Sequence, residues 1–216
     1  MANDNGNLIL RHPAGERVTH WAVAIAFIFL FLSGLAMFHP FFFWLSGIFG
    51  SGQLMRFLHP VAGVLLVILF YPYAARVWKD NEWKPADNAW VKNMFAFMRI
   101  EHHPTDTGKY NGGQKLMFWS MVPIIALLLI TGFVIWRPWF APIFPAGLRR
   151  WAGLLHAFFA FVMFIGIGIH WYAAYWTRGS VRAMVRGTVT HRWARFHHPA
   201  WYREVTGENH EPEIVR

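Results

Sequence analysis

Polar and apolar positions in this chain are sorted into long blocks. Four almost uninterrupted apolar stretches, at about 18–38, 57–78, 116–136 and 151–176, are separated by segments that carry nearly all the charge. Each reaches the roughly 20 residues needed to cross a hydrocarbon core of about 30 Å. The runs lack the period-two alternation of barrel strands, and backbone groups in lipid must bond within their own segment, so helices are predicted. The expectation is an all-α integral membrane protein: a four-transmembrane-helix bundle forming a single domain over 1–216, with a basic tail at 177–216. The first stretch is too long for a signal-peptide core and lacks a small-residue cleavage site, so it is expected to be retained. Between the second and third stretches, Trp90, Val91, Met94, Phe95 and Met98 recur at helical spacing beside Lys92, Asn93 and Arg99. That spacing predicts an amphipathic helix, lying in the membrane interface or packed on a partner.

Composition sharpens this picture. The chain is 56% hydrophobic and 14% charged, and its 13 Trp and 6 Tyr exceed what a packed interior needs. Rings with one polar edge favour the membrane–water interface. Cysteine is absent, which excludes disulfides, Cys-ligated iron–sulfur clusters and covalent c-type haem. The net charge of +9 would suit a nucleic-acid partner, but the basic residues flank apolar segments and leave no soluble domain to bind one. Of the 20 Lys and Arg, only Arg56, Arg137, Arg149 and Arg150 fall on the side of the membrane opposite the N-terminus. Excess Lys and Arg mark the cytoplasmic loops, so both termini are expected in the cytoplasm.

Four histidines lie within the apolar stretches: His20, His59, His156 and His170. An ionisable residue at membrane depth is costly and points to function. His156 and His170 share one stretch, and a separation of 14 residues spans about 21 Å and returns to within about 40° of the same helix face. With the topology above, depth pairs His59 with His156 near the outer face and His20 with His170 near the cytoplasmic face. Two matched pairs suit two stacked bis-histidine haems, whose filled axial positions favour electron transfer over oxygen chemistry. Two histidines alone would leave zinc or copper under-coordinated. The third helix, without a histidine, is expected to pack outside the haem column. Gly63, Gly153, Gly166 and Gly168 offer gaps for a flat macrocycle, or for plain helix packing. His39 reads as a helix-end residue, and His12, His102, His103, His191, His197, His198 and His210 read as interfacial. Arg17, Arg56 and Arg137 are candidates for haem propionates or for interfacial anchoring. The segment Asp106–Lys115, DTGKYNGGQK, reads as a Gly-rich turn before a helix, or as a site where Asn111 and Gln114 hydrogen-bond a ligand approached closely at Gly112 and Gly113.

Several motifs carry a specific resemblance: GKYNGGQKLMFWS, ITGFVIWRPWFA, LLHAFFAF with IGIHWYAAYW, and HRWARFHHPAWYREV. Over about 11–205 the chain closely resembles the cytochrome b (gamma) subunit of respiratory formate dehydrogenase. The resemblance implies two haem b groups, the outer on residues matching His59 and His156 and the inner on those matching His20 and His170. It also implies a quinone pocket, for menaquinone or ubiquinone, at the loop matching Asn111, Gly113 and Gln114 beside His170, although the family has Ala at Gly112. The implied partners are an iron–sulfur beta subunit and a molybdenum or tungsten pterin alpha subunit that oxidises formate outside the bacterial inner membrane, with a higher oligomer of the heterotrimer allowed. This chain would then be the quinone-reducing subunit and would not bind formate. The rival readings are the cytochrome b subunit of another quinone-linked complex, such as uptake hydrogenase or thiosulfate reductase, and a non-redox anchor or transporter.

Overall fold

The computed structural model describes residues 8–94 and 106–208. In chain order the elements are β1 (Leu8–Leu10), α1 (Ala14–Phe38), a 3-10 segment Pro40–Phe49, α2 (Gly52–Arg76), α3 (Pro85–Lys92), α4 (Gly112–Ile135), α5 (Ala146–Trp176), α6 (Ser180–Arg186), β2 (Thr188–Thr190), α7 (His191–His197) and α8 (Pro199–Thr206), with short 3-10 turns at Lys79–Asn81 and Ala141–Ile143. Helices α1, α2, α4 and α5 are each long and apolar enough to cross a membrane, so the protein is a multi-pass membrane protein. Each starts four or five residues before its hydropathy boundary: at 14, 52, 112 and 146 against 18, 57, 116 and 151. Hydropathy sees only the part in hydrocarbon, whereas helical hydrogen bonding continues into a polar first turn. The amphipathic segment is helical at Trp90 and Val91, while Phe95, Met98, Arg99, His102 and His103 lie outside the described residues.

The chain forms two compact units. One comprises 18–75 and 120–169, the middle of the four long helices. Its outward side chains are apolar, with Ile25, Ile68, Phe161 and Ile169 all exposed, as expected of helices whose solvent is lipid. Inside this unit α1 meets α5 where Phe31 stacks on Phe164, 4.3 Å between centroids and 1° between planes. Helix α2 meets α4 where Tyr71 Oη donates to the Val122 carbonyl at 2.8 Å. At one end Ala36, Leu45 and Met55 pack with Leu35, Phe42 and Phe49. His39 is the N-cap of the 3-10 segment, its Nδ1 accepting from the Phe41 N–H.

The second unit is built from the described parts of 1–17, 76–119 and 170–216. Here β1 and β2 form a two-stranded antiparallel ribbon, with Leu8 opposite Thr190 and Leu10 opposite Thr188. Three-residue strands give no readable alternation, so the sequence offers no sign of them. Gly187 caps α6 at φ +87 and accepts from the backbone N–H groups of Arg11 and His12. A Cβ there would lie 2.8 Å from the His12 carbonyl oxygen, so both conformation and space call for glycine. Around the ribbon, Ala183, Val189, Ala194, Trp201 and Tyr202 form a small core with Ile9 and Trp193.

Candidate functional site

His59 on α2 and His156 on α5 face one another in the first unit, ring centroids 6.3 Å apart and planes at 66°. Each is held by a hydroxyl from a different helix. Ser33 Oγ on α1 lies 2.8 Å from His59 Nδ1 and 2.7 Å from the Phe29 carbonyl oxygen. Thr131 Oγ1 on α4 lies 3.0 Å from His156 Nδ1 and 2.6 Å from the Leu127 carbonyl oxygen. A hydroxyl has one proton to give, and each gives it to a carbonyl of its own helix. Each oxygen is then left to accept from the histidine, an arrangement that suits a proton on Nδ1 and a lone pair on Nε2 in both rings. The residues beside the hydroxyls are glycines, and a Cβ at Gly34 or Gly132 would come within 3.4 Å or 3.2 Å of the His59 or His156 Cε1.

These residues fit a haem iron held between two imidazoles. Metal–imidazole bonds of about 2.0–2.1 Å put the two donor nitrogens about 4 Å apart across the metal, and centroids 6.3 Å apart leave room for that. Among the described residues no group of three or more His, Asp or Glu converges as a metal cage would. Open space adjoins Gly153 and Gly168, where a Cβ would meet no atom within 4 Å. Helix α4, expected to pack outside the haem column, backs the site from behind His156. It has no histidine, but its Thr131 and Gly132 touch one.

With this geometry in view, comparison with known proteins decides the family. Residues 11–187 match the model of the prokaryotic cytochrome b561 family. The chain belongs to that family. It is 44% identical over 197 residues to the formate dehydrogenase cytochrome b556(fdo) subunit of Escherichia coli (strain K12), covering 91% of this chain and 93% of that one. It is 41% identical over 212 residues to the formate dehydrogenase cytochrome b556 subunit of Haemophilus influenzae, covering 98% and 89%. It is 40% identical over 199 residues to the nitrate-inducible formate dehydrogenase cytochrome b556(Fdn) subunit of E. coli K12, covering 92% of each. These relatives are all formate dehydrogenase cytochrome b556 subunits, and the cytochrome b561 family implies haem b.

The second candidate region is the turn into α4. Asn111 and Gln114 cap each other: the Gln114 N–H donates to Asn111 Oδ1 and the Asn111 N–H to Gln114 Oε1, both at 2.9 Å. This is a reciprocal capping box. It commits both amide oxygens and leaves the two NH2 groups as the donors these residues would offer a quinone oxygen. The close approach permitted by Gly112 and Gly113 is made by α3. A Cβ at Gly113 would lie 2.7 Å from Trp90, and one at Gly112 3.0 Å from the Asp87 carbonyl oxygen. Lys115, buried in the same turn, donates to Asp87 Oδ2 at 2.7 Å and to the Glu82 carbonyl at 2.8 Å.

The loop before this turn is anchored to the tail. His198 Nδ1 donates to the Gly108 carbonyl at 2.7 Å, and Arg11 donates to His198 Nε2 at 3.0 Å and to the Lys109 carbonyl at 2.6 Å. The Arg11 guanidinium lies 5.0 Å from the ring centroids of both Trp193 and Trp201. Burial lowers its pKa to about 10. Burial first, then the adjacent Arg11 charge, hold His198 well below the ordinary histidine range. His12 is also lowered, chiefly by burial, although its hydrogen bond to Glu16 opposes this.

His20 meets Trp21 edge-on at 5.5 Å, and His170 lies six residues before the end of α5. Arg17 Nη1 donates to the Val185 carbonyl. Arg137 lines a cavity of about 310 Å³ with Arg149 and Arg150. Arg56 is exposed. Spacing alone missed Ser33 and Thr131, although a signal existed. Each hydroxyl–glycine pair precedes its histidine by nearly the same interval, 26 and 25 residues.

Proposed function

We propose that this chain is the membrane di-haem cytochrome b subunit of a formate dehydrogenase complex, delivering electrons from an iron–sulfur subunit to quinone. The observation that carries the proposal is the facing His59 and His156, both with Nε2 available, in a chain similar to formate dehydrogenase cytochrome b556 subunits. His59 and His156 would hold the outer haem b, and His20 and His170 the inner one. Bound in this way, haem b supplies reversible one-electron transfer. Arg17, Arg56 and Arg137 are the propionate candidates. The Asn111 and Gln114 NH2 groups would donate to a menaquinone or ubiquinone oxygen at the turn containing Gly113, near the cytoplasmic face of a bacterial inner membrane. A pterin subunit would oxidise formate outside, so that two electrons and two cytoplasmic protons convert quinone to quinol.

His59→Ala and His156→Ala, made separately in the assembled complex, test this. Each is expected to lower haem b from two to one per chain while formate oxidation with a soluble dye persists. Two haems per chain with native spectra in either variant would overturn the assignment.

A further inference from the structure

Ser33 and Thr131 are buried, and both donate to a carbonyl one turn back in their own helix. That back-bond is what any hydroxyl in a membrane helix does, and it would suffice for a residue of no other use. The second contact is different in kind, because each oxygen also accepts from a histidine on the neighbouring helix of its hairpin. The arrangement occurs twice, once from α1 to α2 and once from α4 to α5. Both copies have the same parts: a hydroxyl, a following glycine within reach of the imidazole edge, and a histidine 25 or 26 residues later. Both axial positions of one site therefore carry the same support.

We propose that Ser33 and Thr131 are positioning residues for the outer haem, fixing both ligands as Nδ1–H tautomers and together holding its reduction potential low. This rests on the reading of His59 and His156 as haem ligands. An acceptor on Nδ1–H raises the electron density of the ring and makes Nε2 the stronger donor. Stronger axial donation favours the more highly charged ferric iron, so the potential falls. Because the two hydroxyls act on different ligands through different helices, their effects are expected to add. Gly132 completes the device on its side, since a Cβ there would stand 3.2 Å from the His156 Cε1 and press on the ring, whereas one at Gly34 would only reach contact with His59 at 3.4 Å.

The experiment is a potentiometric titration of the haem b bands in the purified complex carrying Ser33→Ala, Thr131→Val, the double variant, or Thr131→Ser. Thr131→Val keeps the shape and removes only the hydroxyl, whereas Thr131→Ser keeps the hydroxyl and removes a methyl. One of the two haem midpoints is expected to move positive in each of the first two variants and further in the double, with haem content unchanged. It is expected to return to the wild-type value in Thr131→Ser, while the other haem stays put throughout. Unmoved midpoints in Ser33→Ala, Thr131→Val and the double, with both haems present, would overturn the proposal. So would a shift in Thr131→Ser as large as in Thr131→Val, which would show packing at work. His59→Ala serves as the control for the underlying reading. If it keeps both haems, the ligand assignment fails; if it loses one while the hydroxyl variants change nothing, only the present proposal fails.

Discussion

Asn111 shows how one side chain can hold two roles that a single substitution would confuse. Its oxygen caps α4 and its NH2 is the proposed quinone donor. Asn111→Ala removes both, costing about 1 kcal/mol of helix stability through the lost cap. Asn111→Ser keeps a capping oxygen and loses only the donor. The serine variant is therefore expected to melt with the wild-type complex yet show a raised quinone KM, by up to about tenfold for a neutral hydrogen bond of 0.5–1.5 kcal/mol. Equal quinone kinetics in serine variant and wild type would remove Asn111 from the pocket. At this scale the sequence was legible where chemistry was rare. Histidine inside an apolar stretch is conspicuous, and the four were read from it. Ser33 and Thr131 were not, because a hydroxyl in a membrane helix ordinarily needs no partner beyond its own backbone.

Helix α3 is short, but its tie to α4 is a buried charge pair. Asp87 Oδ2 accepts from the Lys115 ammonium and from the Lys84 N–H, both at 2.7 Å. Removing one member leaves the other charge buried and alone, at a cost of about 3–5 kcal/mol. Lys115→Met alone is therefore expected to lower the thermal midpoint strongly. Lys115→Met with Asp87→Leu, which removes both charges, is expected to recover much of the loss in the same melting assay. A second tie, from the tail to the loop before α4, depends on pH. His198 has a folded-state pKa below its unfolded value, so folding releases protons and stability is complete above about pH 6.5. As pH falls below that, stability is lost at up to about 1.4 kcal/mol per unit until the lowered folded pKa is reached. The charged groups facing His198 are Arg11, His197 and His12. The protection factor of the Ala200 amide, which donates to the Thr107 carbonyl beside this loop, is expected to fall on acidification from pH 7 to 5 once the intrinsic pH dependence of exchange is divided out, and to lose most of that fall in His198→Gln. Neither tie was legible beforehand. Lys115 and His198 sit among many basic residues, and only the fold decides which of them become buried.

For the whole molecule, the four long helices were legible because lipid demands unbroken apolar length, the strongest regularity a sequence can show. Their starts, the β ribbon and the membership of α4 in the histidine site depend on long-range packing, which the apolar pattern does not encode. Under the proposed orientation electrons move inward while protons for quinol are drawn from the cytoplasm, so sealed vesicles of known orientation given formate and quinone are expected to build a membrane potential. Quinone reduction without any potential would put the quinone at the outer face. The ribbon itself bears on how the protein is made. The unit holding His59 and His156 is complete once residue 169 has been synthesised, but β1 cannot pair until Thr188–Thr190 exists. The loop at Gly108 and Lys109 likewise waits for His198. On the ribosome, the histidine site can close before β2 and His198 exist, whereas the turn that would meet quinone acquires its final shape only after they have been made.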